Sequence, residues 1–484
     1  MSDLVFTNAS QLAAAIRERH VSATEVLEIQ LSHIEDHNPT LNAIVTLNDE
    51  PARELARQAD EEIAQGTIWG PLHGVPITIK DLFFTKGLRT TFGQKGFANF
   101  IPKRDSTVVA RLKAAGAIIL GKTNLPCPSI DFQTHNSLFG QTNNPWNHSY
   151  TSGGSSGGGA AAVAAGLSPL DIGSDLGGSI RIPAHFCGVY GFKPTEHRVP
   201  SMPPTKLNTT RHLLATGILA RSIADLKLGL SIIEGPDNRE WAISPITPTT
   251  STPRPLTDYR FAWSDDFGVP LTEETASTIA KIAAKLTHLD CWVERRQPQD
   301  LDFNEVWHTF GEIAATEGMI SQPALSRWLV GSISSLLPTQ FLPGGPIVQG
   351  YVRGASLDMR RYMEALTRRD RLIRVMEEFL ASCDVWICPV TPGPAFTHRQ
   401  TVNPLGPPIE VEDQTIPYWL WGACYTSIFS LTGNPVVVIP VALSKEGLPI
   451  GIQLVGKRRH DHELLTVAEQ LAEVIGPYQR PLGY

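Results

Sequence analysis

Residues 150–194 read YTSGGSSGGGAAAVAAGLSPLDIGSDLGGSIRIPAHFCGVYGFKP. Glycine and serine cluster twice, at Gly153–Gly159 and Gly173–Ser179, and an alanine-rich apolar segment separates the clusters. A flexible linker is polar and Gly/Ser-rich throughout. Here each cluster abuts a segment able to bury itself, so the glycines point to backbone that approaches something closely. Two structural turns around a buried helix are the alternative reading.

Around this stretch the chain has 484 residues, room for about three average domains, although large mixed α/β enzymes often form one. With 18% charged residues and a formal net charge of −7, nothing in the bulk composition attracts nucleic acid or an anionic membrane. The cysteines Cys127, Cys187, Cys291, Cys383, Cys388 and Cys424 are dispersed without a CxxC pair, so reduced thiols and a cytoplasmic location are expected. The polar start (Ser2, Asp3, Thr7, Asn8) lacks a signal-peptide pattern. Trp419–Leu443 carries no charge and is long enough to span a bilayer. Thr432-Gly433-Asn434-Pro435 breaks it, however, which predicts a buried helix, a turn and a strand.

Residues 8–65 predict three amphipathic helices, with Ser22-Ala23-Thr24-Glu25 as a capping box. Leu72–Asp81 (LHGVPITIKD) predicts a strand ending in a charged pair, Ser106–Gly116 a helix and Ala117–Leu120 a short buried strand. Beyond the Gly/Ser region come a helix at Ser222–Glu234 and a Pro/Thr-rich connection at Pro245–Pro255, the best candidate boundary. Strands follow at Phe261–Trp263 and Trp292–Glu294 around the helix Thr272–Leu289, and residues 300–382 are mainly helical with a break at Pro338–Gly350. Val385–Cys388, Pro435–Pro440 and Ile450–Val455 predict strands, and Asp461–Ile475 a closing helix.

Two familiar patterns fail on context. Gly116–Thr123 matches G-x-x-x-x-G-K-[ST], but a helix precedes it and its middle is β-branched, the reverse of a phosphate loop. Gly153-Gly154-Ser155-Ser156-Gly157 matches the nucleophile elbow G-x-S-x-G, yet the polar, turn-rich Asn143–Ser152 stands where that motif needs an apolar strand. No histidine is singled out by its surroundings, and no HExxH or CxxC suggests a metal. A serine without an obvious histidine points to lysine as its base. Lys80 follows the apolar run Val75–Ile79, where burial lowers a lysine pKa. A free lysine near 10.4 is neutral at pH 7 less than about once in a thousand, and burial shifts of about 3–5 units remove that handicap. Pairing of Lys80 with Asp81 at a strand end is the bland alternative.

GVPITIKD at Gly74–Asp81, GGSSGG at Gly153–Gly158 and GSDLGGSIRIPAHFCGVYGFKPT at Gly173–Thr195 together resemble the amidase signature family. GKTNLP at Gly121–Pro126, FGQTNNPWN at Phe139–Asn147 and the C-terminal LTGNPVVVIPV and GLPIGIQLVG extend the resemblance over most of residues 1–235 and 384–476. It implies a single large α/β domain: a central mixed, mostly parallel β-sheet covered by α-helices on both faces. Four segments are expected: an N-terminal helical region (1–70) packed on the core, the signature core (71–240), a variable helical pocket region (241–383), and a C-terminal part completing the sheet (384–484).

The resemblance implies Ser179 as nucleophile, Ser155 as bridging serine after a cis peptide at Gly154, and Lys80 as base. It also implies an oxyanion hole from the backbone N–H groups of Leu176, Gly177, Gly178 and Ser179, supported by Asp175 and Arg181. Amide hydrolysis through an acyl-enzyme would follow, with no cofactor or metal. The partner would be a small-molecule amide, not nucleic acid or membrane, and a homodimer is allowed. A glutamine-dependent amidotransferase A-type subunit is the alternative, as is an ester, lactam or carbamate hydrolase on the same machinery. Ile182 stands where amidotransferase subunits of that type usually carry glutamine, which counts against that role. Leu176 replaces a frequent threonine, and Cys127 and Pro128 replace polar residues, making a more apolar pocket wall. Cys127, Ile130, Trp307, Trp328 and Trp419, together with Phe310 and Phe341, are candidates to line a pocket for a hydrophobic or aryl carboxamide, although such aromatics also serve as plain core.

Overall fold

The computed structural model describes residues 4–201, 209–246, 254–336, 344–400 and 406–484. Residues 247–253 of the Pro/Thr-rich connection and 338–343 of the break, with Phe341, lie outside them.

Three helices open the chain: α1 (Ala9–Arg17), α2 (Ala23–Leu41) and α3 (Asp49–Ala64). The capping box forms, with Ser22 accepting from the Glu25 N–H and Glu25 from the Ser22 N–H, which satisfies two otherwise orphaned donors. Asn42 ends α2 in the left-handed conformation that asparagine tolerates.

One sheet organises the rest. Its strands are β1 (Ile44–Leu47), β2 (Pro76–Lys80), β3 (Ile118–Thr123), β4 (Leu170–Asp175), β5 (Tyr190–Lys193), β6 (Ala215–Ala220), β7 (Arg260–Trp263), β8 (Trp292–Arg295), β9 (Val385–Pro389), β10 (Val436–Leu443) and β11 (Pro449–Val455). They lie in the order β1-β3-β2-β4-β6-β5-β10-β11-β9-β7-β8. Every residue of β2, β3, β4, β5, β6, β9 and β11 is buried, which requires cover on both faces. The outer strands β1 and β8 are partly exposed, and Glu294 and Arg295 on β8 discourage further pairing.

The sheet is mixed, as expected, but its parallel share is smaller than "mostly parallel". Of ten neighbouring pairs, β2–β3, β2–β4, β7–β9 and β7–β8 are parallel and the other six antiparallel. The middle of the sheet is built by antiparallel returns such as β10–β11, joined through a turn at Gly447, rather than by helical crossovers. This one sheet also draws strands from all four expected segments: β1 comes from 1–70, and β7 and β8 from 241–383.

The uncharged stretch Trp419–Leu443 becomes helices Tyr418–Ala423 and Ser427–Leu431 followed by β10, packed inside the protein as far as Ile439, while Leu443 at the strand end is exposed. No helix among the described residues is long and apolar enough to cross a membrane. All six cysteines are free, and only Cys127 is exposed.

Candidate active site

The parallel pair β2 and β4 runs in register Thr78↔Asp171 and Ile79↔Ile172, so both strands deliver their C-terminal residues, Lys80 and Asp175, to the same edge of the sheet. The C-terminal ends of parallel strands are where α/β folds carry their ligands. Helices α4 (Thr107–Ala114), α5 (Gly157–Ala164) and α6 (Arg181–Cys187) follow β2, the first Gly/Ser cluster and β4. The two clusters are thus the loops that lead into α5 and α6.

Lys80 is fully buried, and its Nζ lies 2.7 Å from Ser155 Oγ, 2.9 Å from Ser156 Oγ and 3.1 Å from Ser174 Oγ. Asp81 turns away and accepts from the Thr91 N–H and hydroxyl, so the bland pairing with Lys80 does not form. Burial pulls the Lys80 ammonium down to about 7, partly opposed by the anions Asp171 and Asp175. Ser155 is 1% exposed and follows a cis Gly154–Ser155 peptide. A Cβ at residue 154 would stand 2.4 Å from the Asp131 carbonyl oxygen and 2.8 Å from the Gln133 N and O, so only glycine lets the loop lie against segment 131–133. Thr134 ties that segment down, donating to the Gly153 carbonyl and accepting from the Gly157 N–H.

Ser179 is half-buried and faces a cavity of about 480 Å³. Its carbonyl accepts from the Ser156 N–H at 3.0 Å, joining the second glycine loop to the first. Asp175 organises that second loop. It accepts from the N–H groups of Gly178 (2.8 Å), Ile180 (3.0 Å) and Arg181 (3.3 Å) and from the Arg181 guanidinium at 2.7 and 3.0 Å. Burial pushes the Asp175 carboxyl up, but the guanidinium beside it outweighs this and holds it at about 2. Arg181 in turn reaches the Thr426 carbonyl, Gln453 Oε1 and Ser430 Oγ.

One expected feature changes here. The Gly178 N–H is spent on Asp175, so it is not available in this conformation as a fourth oxyanion donor. The N–H groups of Leu176, Gly177 and Ser179 donate to nothing among the described residues. Gly178 has φ +122°, and a Cβ there would meet Thr426 Oγ1 at 2.6 Å, so glycine is needed for the loop's path rather than for an open donor.

Ile130, Phe132, Leu176, Phe310, Tyr351 and Trp419 give the cavity an apolar wall. Three other expected pocket residues lie elsewhere. Trp307 is core: its indole N–H donates to the Cys424 carbonyl at 2.9 Å and its ring stacks on Phe303. Trp328 is 61% exposed and Cys127 is exposed; neither lines the cavity, although Pro128, after a cis Cys127–Pro128 bond, does.

Four features escape the sequence reading. Ser156 and Ser174 complete the Lys80 cage, and Asp171, beneath it, accepts from Thr78 and Thr123 through Oδ2 while Oδ1 has no partner. Burial pushes the Asp171 carboxyl up to about 7. The cavity also contains an acid–imidazole pair, the buried Glu317 and the half-buried His212. The serines lie in plain view in the decisive stretch; the His–Glu pair, 105 positions apart, leaves no local trace.

A family model described as Amidase matches residues 25–465. The chain belongs to the amidase family. Among relatives of this amidase, an indoleacetamide hydrolase from Bradyrhizobium diazoefficiens is 34% identical, with 95% of this chain and 85% of the relative covered. A glutamyl-tRNA(Gln) amidotransferase A-type subunit from an Anaeromyxobacter species is 31% identical, with 97% and 96% covered. The crystal structure of a bacterial aryl acylamidase of the amidase signature family superposes with a TM-score of 0.83 at 26% identity, with 97% and 96% covered. The amidase is therefore an amide-hydrolysing enzyme on the amidase signature fold.

Proposed function

We propose that the chain hydrolyses a small hydrophobic or aryl amide through an acyl-enzyme on Ser179, with Ser155 relaying protons between Ser179 and a neutral Lys80. The observation that carries this reading is the buried Lys80 Nζ, 2.7 Å from Ser155 Oγ and lowered to about 7.

Hydrogen-bond accounting supports the direction of the relay. Ser156 Oγ donates to the Ser174 carbonyl, so it accepts from Lys80. Ser174 Oγ takes the second N–H of a neutral amine. The amine lone pair then faces Ser155, whose proton it can receive while Ser155 takes the proton of Ser179. The Ser179 oxygen adds to the amide carbon, and the N–H groups of Leu176, Gly177 and Ser179 stabilise the oxyanion. As the C–N bond breaks, the proton held by Lys80 returns through Ser155 to the departing nitrogen. Water, giving a proton to the same relay, then cleaves the Ser179 ester and restores the resting site.

The cavity wall supports an apolar acyl or amine group. The likeness to an amidotransferase subunit keeps a glutamine-dependent transfer as the competing outcome. In turnover assays over aryl, aliphatic and glutamine amides, Ser179→Ala and Lys80→Ala are expected to lose at least about a thousandfold in kcat/KM while keeping the wild-type circular dichroism. Folded Lys80→Ala retaining wild-type turnover rules out the relay, and activity confined to glutamine selects the competing reading.

A further inference from the structure

Helix α7 (Phe303–Met319) runs along the cavity and presents Phe310, Ala314 and Glu317 to it. Phe310 packs over the glycine loop: a Cβ at Gly177 would stand 3.0 Å from its ring. Glu317 lies two helical turns beyond Phe310 on the same face, about 10 Å further along the helix. The cavity therefore has a reacting end at Ser179 and a remote end at Glu317.

At that remote end Glu317 is saturated. It accepts from Tyr362 Oη (2.7 Å) and His212 Nδ1 (2.5 Å) on one oxygen, and from the N–H groups of Arg211 (2.7 Å) and His212 (3.0 Å) on the other. Burial opposes its ionisation, but the bonds from His212 and the backbone outweigh it and hold the carboxyl below its ordinary value. With its side chain 4% exposed, Glu317 is an anchor and has no capacity left for a ligand. A carboxylate only accepts, so His212 donates from Nδ1, and the neutral form of the ring keeps a lone pair on Nε2. Nε2 meets no partner among the described residues, and His212, a quarter exposed, lines the cavity.

We infer that His212, oriented by Glu317, is a specificity residue that accepts a hydrogen bond from an N–H or O–H group on the part of the substrate remote from the scissile amide. The preferred substrates are then aryl amides with one donor on the ring system, a conclusion that rests on the amidase reading above. Ile130, Phe310 and Trp419 make the cavity between the two ends apolar, and a substrate without the donor strips water from Nε2 and returns nothing.

The test uses the full-length enzyme with indole-3-acetamide and benzofuran-3-acetamide, near-isosteres that exchange N–H for O. Wild type is expected to favour the N–H member by about tenfold in kcat/KM, mostly through KM. His212→Phe should bring the ratio close to one, and Glu317→Gln should weaken it. Should those variants fold poorly, calorimetry on Ser179→Ala, with His212 intact, is expected to show the same preference in affinity. Equal kcat/KM and equal affinity for the pair, or a preference that survives His212→Phe, overturns the inference while leaving the amidase reading in place. So does turnover of other amides but neither of the pair. An enzyme that cleaves no amide at all removes the amidase reading and this inference with it.

Discussion

In the proposed relay, the chemistry turns on the charge of Lys80. Burial favours its neutral form, and the nearby Asp171 and Asp175 favour the charged one. With Lys80 at about 7, the active fraction is small below that pH and saturates above it, so kcat/KM should rise about tenfold per unit on the acid side and level off past neutrality. Asp175, at about 2, is ionised throughout this range, whereas Asp171, at about 7, titrates within it. Ionised Asp171 draws the Lys80 pKa upward. Asp171→Asn keeps an oxygen that can accept from Thr78 and Thr123 but has no charge to lend. Its acid limb should shift to lower pH in initial-rate profiles on a neutral amide. An unshifted or upward-shifted limb would mean that Asp171 does not act on the base.

Among the elements, the loops before α5 and α6 do the positioning, and they are held by what lies outside them. Gly154 rests against the backbone of Asp131 and Gln133 with no room for a methyl group. Gly154→Ala must therefore displace Ser155 or the 131–133 segment, since backbone does not yield as a side-chain tip would. An ångström of misplacement costs about a hundredfold in rate, so the variant should lose at least that in kcat with a lowered Tm. Unchanged kcat in a folded variant would show that the loop tolerates the shift. The same contrast governs what could be read from the sequence. The glycine clusters, the capping box of α2 and the helix–turn–strand at 418–443 follow local rules and are legible. Strand β1 is four residues between two helices, too short to show a period. The antiparallel middle of the sheet depends on which strand each segment meets, and local alternation is silent on that. Trp307 and Trp328 share an aromatic identity, yet one stacks in the core and the other faces solvent, because helix registration decides what identity cannot.

Across the whole molecule, the site is a seam between distant parts of the chain. Lys80 arrives from 75 residues before Ser155, and Arg181 spans 245 positions to the Thr426 carbonyl and 272 to Gln453. Arg181 is fully buried, so its charge is sustained by Asp175 and by the carbonyl, amide and hydroxyl oxygens around it. Removing one partner of such a pair leaves the other charge dry and unmatched, which costs about 3–5 kcal/mol. Arg181→Met keeps the length of the stem but strands the Asp175 carboxylate and cuts the ties to the C-terminal segment. In urea unfolding it should be less stable by about that amount, and Asp175→Asn by a similar amount. The double variant should then be well short of their sum, because once one charge is gone the second loss removes a liability. Strict additivity would mean that the two residues stabilise the seam independently, and that the Asp175–Arg181 pair does not join the catalytic loop to the strands beyond it.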